Sequence, residues 1–273
     1  MKTPTESGAP GDCMSTVIAV ANEKGGVGKT TTVVNLGAAL AELNYRVLAL
    51  DLDPHRGLSV SLGADGSPKG VGDLLTDGAL TVSGVARPTK IPGLSLIPAG
   101  RQLADTEGRL ARTANSHDVL RGKLEDCGQE YDFILLDCGP SLGLLTLNAL
   151  VAADGVLAPL QSDYLALRGV GLLLDTIRAV QEQFNPGLRI LGFLAAMHDR
   201  RTSHAREILQ ELRRTLGDQV FEPVINYTVR LKETPILGDS ILAYDTRSDA
   251  AEAYRQVARE VVKRTGKGKK RKG

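Results

Sequence analysis

The hydrophobic positions of this chain form short apolar runs, and stretches with helical spacing lie between them. Six runs have the continuous apolar character of strands buried on both faces, namely residues 16–21, 46–50, 94–98, 133–137, 155–159 and 188–196. The intervening stretches place apolar residues three and four positions apart, most clearly at 31–43, 203–216 and 248–263. This alternation predicts an α/β fold with a mostly parallel, twisted sheet and helices on both faces.

The boundaries of this fold follow from composition. The alternation runs through most of the 273 residues without a long Gly/Ser-rich or Pro-rich linker, so we expect a single domain over residues 16–264. Residues 1–15 are predicted to form a flexible extension. Residues 263–273 contain seven basic residues and no acidic residue, and we expect 265–273 to be a disordered basic tail. That tail would either solubilise the chain or bind a polyanion.

Composition also narrows the cellular setting. The first eleven residues are polar and lack the apolar centre of a signal peptide, and no stretch approaches the ~20 apolar residues of a membrane span. The three cysteines, Cys13, Cys127 and Cys138, have neither the paired spacing of a disulfide framework nor that of a zinc site. These features favour a reducing cytoplasm.

One loop carries the strongest chemical signal in the sequence. It joins the first predicted strand to the first predicted helix and reads Lys24-Gly25-Gly26-Val27-Gly28-Lys29-Thr30-Thr31-Thr32. Glycine lets the backbone come close to a ligand, and the free N–H groups at a helix start attract an anion. We therefore expect residues 25–31 to bind nucleotide phosphates, with Lys29 on the outer phosphates and the Thr30 hydroxyl on Mg²⁺.

Acidic residues follow two other predicted strands. Asp51 and Asp53 come after the run at 46–50, and their spacing places both side chains on one side of an extended segment, where both could face the phosphate loop. Asp137 ends the run that starts at Phe133. An aspartate in this position can hold Mg²⁺ directly or through a water, so Asp137 is the predicted metal residue opposite Thr30.

The phosphate loop departs from the strict P-loop pattern, which requires glycine at position 23, where this chain has Glu23. A second lysine, Lys24, stands at the front of the loop instead. In this respect the sequence resembles the deviant P-loop of the ParA/MinD group and is similar to ParA/Soj-type partition ATPases. The resemblance implies a single-domain P-loop NTPase that takes ATP and Mg²⁺.

The resemblance also implies catalytic roles and a cycle. Lys24 would cross an ATP-dependent homodimer to the partner's nucleotide, Asp53 would orient the attacking water, and Lys29 would complete the catalytic set. The dimer would bind DNA without sequence preference, with Arg201 and Arg230 as the matching residues. A ParB-type centromere-binding partner would stimulate a slow hydrolysis and release the dimer, which implies a nucleoid-associated cytoplasmic protein with no membrane partner.

Three segments depart from the family pattern. His55, Arg56 and Gly57 stand where the family has Gln-Gly-Asn, and Gly139 stands where it has proline. Asn226-Tyr227-Thr228 replaces Pro-Arg-Asn in a segment that the family places against the base. Two other functions remain open at this point, a MinD-like membrane-associated positioning ATPase and a regulatory nucleotide-binding module with negligible turnover.

Overall fold

The computed structural model describes residues 15–125, 127, 130–163 and 166–268. Within them, seven strands form one sheet in the order β3-β4-β2-β5-β1-β6-β7. The strands are β1 Thr16–Val20, β2 Val47–Leu52, β3 Arg87–Pro88, β4 Leu94–Ile97, β5 Phe133–Cys138, β6 Gly155–Gln161 and β7 Arg189–Ala196. All pairings are parallel except that of the short edge strand β3 with β4.

Twelve α-helices connect these strands within the described residues. They are α1 Lys29–Glu42, α2 Gly57–Ser61, α3 Val71–Thr76, α4 Val82–Val85, α5 Leu103–Leu110, α6 Val119–Glu125, α7 Leu144–Ala152, α8 Ala166–Gln183, α9 Ser203–Leu216, α10 Arg230–Leu237, α11 Ile241–Tyr244 and α12 Asp249–Thr265. A 3₁₀ turn, Gly217–Gln219, follows α9.

The helices cover both faces of the sheet and create two hydrophobic cores. One core contains buried residues of helices α3 to α9, including Leu150 and Ile177. The other contains residues of α1, α2 and α10 to α12, including Leu36 and the fully buried Tyr254. Because the central strands are covered on both sides, they are almost entirely apolar, as the sequence pattern indicates, and the exceptions include the buried acids Asp51 and Asp137. The predicted fold class is confirmed.

Two boundaries differ from the sequence prediction in ways that affect the chemistry. Helix α1 begins at Lys29 rather than at residue 31, because Gly28 takes the left-handed conformation that starts the first turn (φ 93°). Strand β2 continues through Leu52, which places Asp51 inside the sheet. The predicted N-terminal extension lies outside the described residues except for Ser15, as does the end of the predicted tail, 269–273.

The topology brings three sequence-distant loops to one edge of the sheet. Strand β5 lies between β1 and β2, and Asp137 is the register partner of both Val20 and Asp51. The phosphate loop therefore starts beside the carboxyl ends of β2 and β5. This is the edge at which open parallel sheets bind ligands.

Candidate functional site

The loop between β1 and α1 is shaped as an anion site. Gly26 and Gly28 have left-handed φ angles of 76° and 93°. A side chain added at Gly25 or Gly26 would meet no atom within 4 Å, so the space over the loop is open. The first turn of α1 contains no acidic residue, and its free N–H groups point toward that space.

Lys29 supplies a buried positive charge to this loop. The side chain is 7% exposed, and its ammonium donates to the Asn22 carbonyl at 2.9 Å and to the Lys24 carbonyl at 3.0 Å. Burial lowers the pKa of Lys29, and the negative charges of Asp137 and Asp53 oppose this effect. The ammonium is thus folded back against its own loop, within reach of the space that a phosphate would occupy.

Thr30 and Asp137 meet at the end of β5. The Thr30 hydroxyl donates to Asp137 Oδ2 at 2.8 Å, while the buried Oδ1 of Asp137 has no hydrogen-bond partner among the described residues. Burial raises the pKa of Asp137, and the neighbouring Asp51 raises it further. A hydroxyl beside an unpaired carboxylate oxygen is a donor set that suits Mg²⁺. The described residues contain no group of three His, Cys, Asp or Glu side chains that could hold a metal alone, so phosphate oxygens would supply further ligands.

Asp51 is fully buried near the end of β2. Its buried carboxylate accepts hydrogen bonds from the Ser59 backbone N–H at 2.7 Å and from the Ser59 hydroxyl at 2.6 Å. The Ser59 oxygen in turn accepts from the Ala99 N–H at 2.9 Å. Asp51 therefore holds α2 and the loop after β4 against the sheet. Asp51 is also the register partner of Asp137 and raises its pKa, so it lies close to the predicted metal residue. The hypothesis that Asp51 faces the phosphate loop together with Asp53 stays a prediction.

Asp53 lies beyond the end of β2 and is 15% exposed. Its Oδ1 accepts from the His55 backbone N–H at 2.9 Å and lies 2.8 Å from His55 Nδ1. A side chain added at Gly139 would approach the same oxygen to 3.4 Å. Asp53 thus lies between the segments after β2 and β5, and its charge acts on Lys29.

The segment after Asp53 also lies close to Thr30, the predicted metal ligand on α1. The space that a side chain would take at Gly57 is 3.3 Å from the Thr30 hydroxyl oxygen. The preceding Arg56 has a left-handed φ of 58°, which is strained for a residue with a side chain, and it pairs with Asp65 at 3.0 Å. Helix α2 consequently packs directly against the start of α1.

Lys24, the front lysine of the loop, forms a salt bridge with Asp163 just after β6. Both side chains are partly exposed, at 39% and 32%. The Lys24 backbone N–H is held by the Asn22 side chain at 2.9 Å. The ammonium is therefore engaged with its own chain on the solvent side of the loop.

The two predicted DNA-binding arginines lie on the surface, and each is paired with an aspartate. Arg201 forms two hydrogen bonds with Asp199 at 2.8 and 2.9 Å, which lower the pKa of Asp199 to about 2. Arg230 forms a salt bridge with Asp245 at the end of α11. Their neighbour Arg200 lies 3.5 Å from Asp249, the first residue of α12.

These arginines are brought together by contacts between three segments. The Tyr227 N–H donates to the His198 carbonyl at 2.9 Å, so the segment before α10 runs beside the loop that contains Arg201. The Lys232 ammonium lies 5.0 Å from the Tyr227 ring centre and 3.2 Å from its hydroxyl. We call Arg200, Arg201, Arg230 and Lys232 the arginine surface.

Comparisons with known proteins agree with this geometry. The AAA domain family matches residues 15–190. The chain is 44% identical over 251 residues to the sporulation initiation inhibitor protein Soj of Bacillus subtilis, covering 91% of this chain and 99% of that protein. It is 41% identical over 252 residues to the chromosome partitioning protein ParA of Caulobacter vibrioides, covering 91% and 94%. The chain belongs to the ParA family of partition ATPases.

Solved structures place nucleotide and metal in ParA-like folds. A Mycobacterium smegmatis protein described as cobyrinic acid a,c-diamide synthase, with bound ATP analogue and magnesium, is 39% identical to this ParA-type chain. Its TM-score is 0.81, and the match covers 93% of this chain and 97% of that one. The McdA(D38A)–ATP complex of Cyanothece, at 19% identity and a TM-score of 0.83, shows the fold alone. The resemblance and the ATP and Mg²⁺ predictions are confirmed at this level.

Several residues that shape the ParA site were missed by the sequence reasoning. Ser59 holds Asp51, Asp163 holds Lys24, and Asp245 holds Arg230. Each partner is distant in sequence or lies on a short helix with weak periodicity, so no local pattern marks it. Only the departure at residue 55 from the family pattern could have drawn attention to His55.

A cavity of about 1230 Å³ lies at the opposite end of the sheet, at the amino ends of β1, β6 and β7. Its lining contains acidic and basic side chains, among them Arg264, which pairs with Glu260 one turn earlier on α12 and lies over the Phe221 ring. This cavity shares no residue with the phosphate loop. Separately, no helix in the described part of the chain is long and apolar enough to span a membrane.

Proposed function

We propose that this chain is a DNA-partition ATPase that binds Mg-ATP, dimerises on it, and hydrolyses it slowly until a partner accelerates the reaction. The observation that supports nucleotide chemistry best is the buried pair of Thr30 and Asp137, which leaves one carboxylate oxygen unpaired beside the Lys29 charge. A buried carboxylate with an unpaired oxygen is costly, and a bound cation would remove that cost.

The residues divide the work of hydrolysis between them. The α1 amides and Lys29 would bind phosphate oxygens and stabilise the charge that develops on them. Thr30 and Asp137 would hold Mg²⁺, which neutralises charge on the outer phosphates when bound. Asp53 would accept a hydrogen bond from the attacking water and so orient it. The position of Asp53 near Lys29 and Gly139 supports that role.

Lys24 would connect hydrolysis to dimerisation. In the single chain its ammonium is paired with Asp163, and both side chains are partly exposed. Such a pair contributes only about 0–1 kcal/mol to stability. The phosphates of the nucleotide bound to a second subunit can therefore replace Asp163 as the partner of Lys24. The ATP-bound homodimer would then contain one Lys24 from each chain at the partner's nucleotide.

The arginine surface would bind DNA through its phosphates. Three of its four cations pair with aspartates of their own chain, and because these arginine side chains are 58–82% exposed, they can exchange the aspartate for DNA phosphate contacts. No base-specific contact is needed for such binding. A ParB-type protein at centromere-like sites would stimulate hydrolysis, and the released monomers would leave the nucleoid.

The test is a comparison of three nucleotide states in gel filtration and in DNA binding at moderate salt. We expect a monomer that binds DNA weakly without nucleotide and with ADP, and a dimer that binds DNA with ATP and Mg²⁺. Dimerisation with ADP, or DNA binding that is independent of nucleotide, would contradict the proposal.

The role of Asp53 has a separate test. The Asp53→Ala variant should keep ATP-dependent dimerisation and lose turnover, since the carboxylate acts on the water and not on nucleotide binding. It should therefore remain on DNA with ATP. Phosphate release at the native rate from this variant would remove Asp53 from the mechanism.

A further inference from the structure

His55 occupies a position from which it can control Asp53. Its side chain is 81% exposed, so burial does not explain its conformation. Its Nδ1 lies 2.8 Å from Asp53 Oδ1, and its backbone N–H donates to the same oxygen at 2.9 Å. Because a carboxylate oxygen only accepts, Nδ1 carries the proton in this contact.

The contact divides the two oxygens of Asp53 between two tasks. Oδ1 is held twice by residue 55, whereas no described residue donates a hydrogen bond to Oδ2. A carboxylate fixed through one oxygen can present the other in a constant direction. The free oxygen would then accept from the attacking water.

On the side of Asp53 that faces the segment after β5, the neighbouring residue is a glycine. Gly139 faces the carboxylate, and only an added side chain there would reach Oδ1, at 3.4 Å. At position 139 no side chain therefore supports Asp53. Among the described residues, the His55 imidazole is the side chain that makes a hydrogen bond to the Asp53 carboxylate.

We propose that His55 is a positioning residue for ATP hydrolysis, which fixes the Asp53 carboxylate through Nδ1 so that its other oxygen orients the water. This inference rests on the proposed function, because it assigns His55 to the same hydrolytic step. His55 acts on the water only through Asp53. It does not need to touch the nucleotide.

The atom that makes the contact allows a sharp test. Nδ1 of histidine and Nδ2 of asparagine are both three bonds from Cα, whereas Nε2 of glutamine is one bond further away. His55→Asn therefore keeps a donor at the contact, and His55→Gln moves the donor past it. His55→Ala removes the donor, and His204→Ala, which changes an exposed histidine on α9, is the matched control.

Single-turnover hydrolysis and ATP affinity should be measured for these variants with Mg²⁺. We expect His55→Ala and His55→Gln to lower the hydrolysis rate constant by about tenfold to a hundredfold, the range found for orienting partners of active groups. ATP affinity should stay within about twofold. His55→Asn should recover most of the rate, and the control should match the native chain.

Native rates in His55→Ala, or recovery by glutamine but not by asparagine, would overturn the inference while leaving the ATPase intact. A native chain that shows no turnover even with DNA and the partner would overturn the proposed function and this inference together. The ¹⁵N NMR spectrum of the His55 imidazole tests the contact with Asp53 without any turnover. It therefore separates a failure of this inference from a failure of the proposed function. We expect the Nδ1 signal of His55 to report a hydrogen bond to Asp53 in the native chain and to lose it in Asp53→Ala, and an unchanged spectrum would refute the contact.

Discussion

The nucleotide site and the arginine surface hold their charged groups in opposite ways. Lys29 and Asp137 are 7% and 0% exposed, whereas the side chains of Arg230 and Arg201 are 58% and 82% exposed. In the first region, charges are buried before any ligand arrives. In the second, each arginine is largely exposed to water and pairs with an aspartate whose side chain is only 22–34% exposed.

This difference indicates how each region should respond to its ligand. An incompletely paired buried charge is costly, so a ligand that completes the pairing is bound strongly and in one geometry. An exposed ion pair contributes about 0–1 kcal/mol and is screened by salt. A DNA phosphate can replace such a pair at little cost and with little selectivity. The proposed roles, one specific and one nonspecific, follow this contrast.

The two regions are physically connected through α1. Buried Asn35 on α1 accepts a hydrogen bond from the Ile241 N–H at 2.7 Å and donates to the Thr31 carbonyl at 2.8 Å. Ile241 begins α11, whose C-cap residue Asp245 pairs with Arg230. A change at the start of α1 can thus reach the arginine surface through one short helix.

The largest effect is expected for Lys29→Ala. The substitution removes the buried ammonium, and the loss of a charge-assisted contact of about 3 kcal/mol should weaken ATP binding by roughly a hundredfold. Isothermal titration with a slowly hydrolysed ATP analogue and Mg²⁺ measures this. Lys69→Ala, at an exposed lysine, is the control, and equal affinities for the two variants would show that the loop does not hold phosphate through Lys29.

The sequence predicted the buried region better than the exposed one, for a physical reason. Lys29, Thr30 and Asp137 each end a strand or begin a helix, and a parallel sheet brings such ends together whatever lies between them. The apolar runs also predicted six of the seven strands, leaving only the two-residue edge strand.

Which side chains form ion pairs with one another depends on the directions in which they point. The periodicity of the sequence does not contain this information. Asp163 meets Lys24 across 139 residues, and Asp245 meets Arg230 between two short helices. The helix start at Lys29 also required knowledge of the left-handed Gly28, which a helical pattern beginning at residue 31 does not contain. Sequence patterns therefore do not predict the backbone conformation of single residues or the ion pairs between residues that are distant in sequence.

A smaller effect is expected for Asn35→Ala, which breaks the connection between the regions. The buried Ile241 N–H would lose its acceptor, and an unpaired buried donor costs about 1–3 kcal/mol. Denaturant unfolding without nucleotide should show this loss in the free energy of unfolding. Gln210→Ala, an exposed amide on α9, should leave it unchanged, and native stability for Asn35→Ala would mean that the hydrogen bond contributes nothing.

Arg230→Glu tests the exposed region and should weaken DNA binding by about tenfold. Each lost phosphate contact lowers the slope of log affinity against log salt by about 0.9, so the slope should also fall. ATP-dependent dimerisation should persist because, among the described residues, the contacts of Arg230 are with Asp245 and Thr228 and not with the phosphate loop. Arg178→Glu, on α8 at the opposite face of the sheet, is the charge-matched control. Equal DNA affinities for both variants would place the DNA site elsewhere.

The smallest effect is expected for Asp245→Asn, which tests whether Asp245 competes with DNA phosphate for Arg230 or only holds the arginine in place. Asp245→Asn removes the charge that competes with phosphate for Arg230 while keeping the size of the side chain. If the pair is worth about 0.2–1 kcal/mol, DNA affinity should rise by up to about fivefold at low salt, and the gain should shrink as salt rises. Fluorescence anisotropy with a short duplex, ATP and Mg²⁺ measures it, with Asp175→Asn beside Arg178 as the control. A lower affinity would instead mean that Asp245 orients Arg230 for DNA, and the exposed region would then be preorganised in the same sense as the buried one.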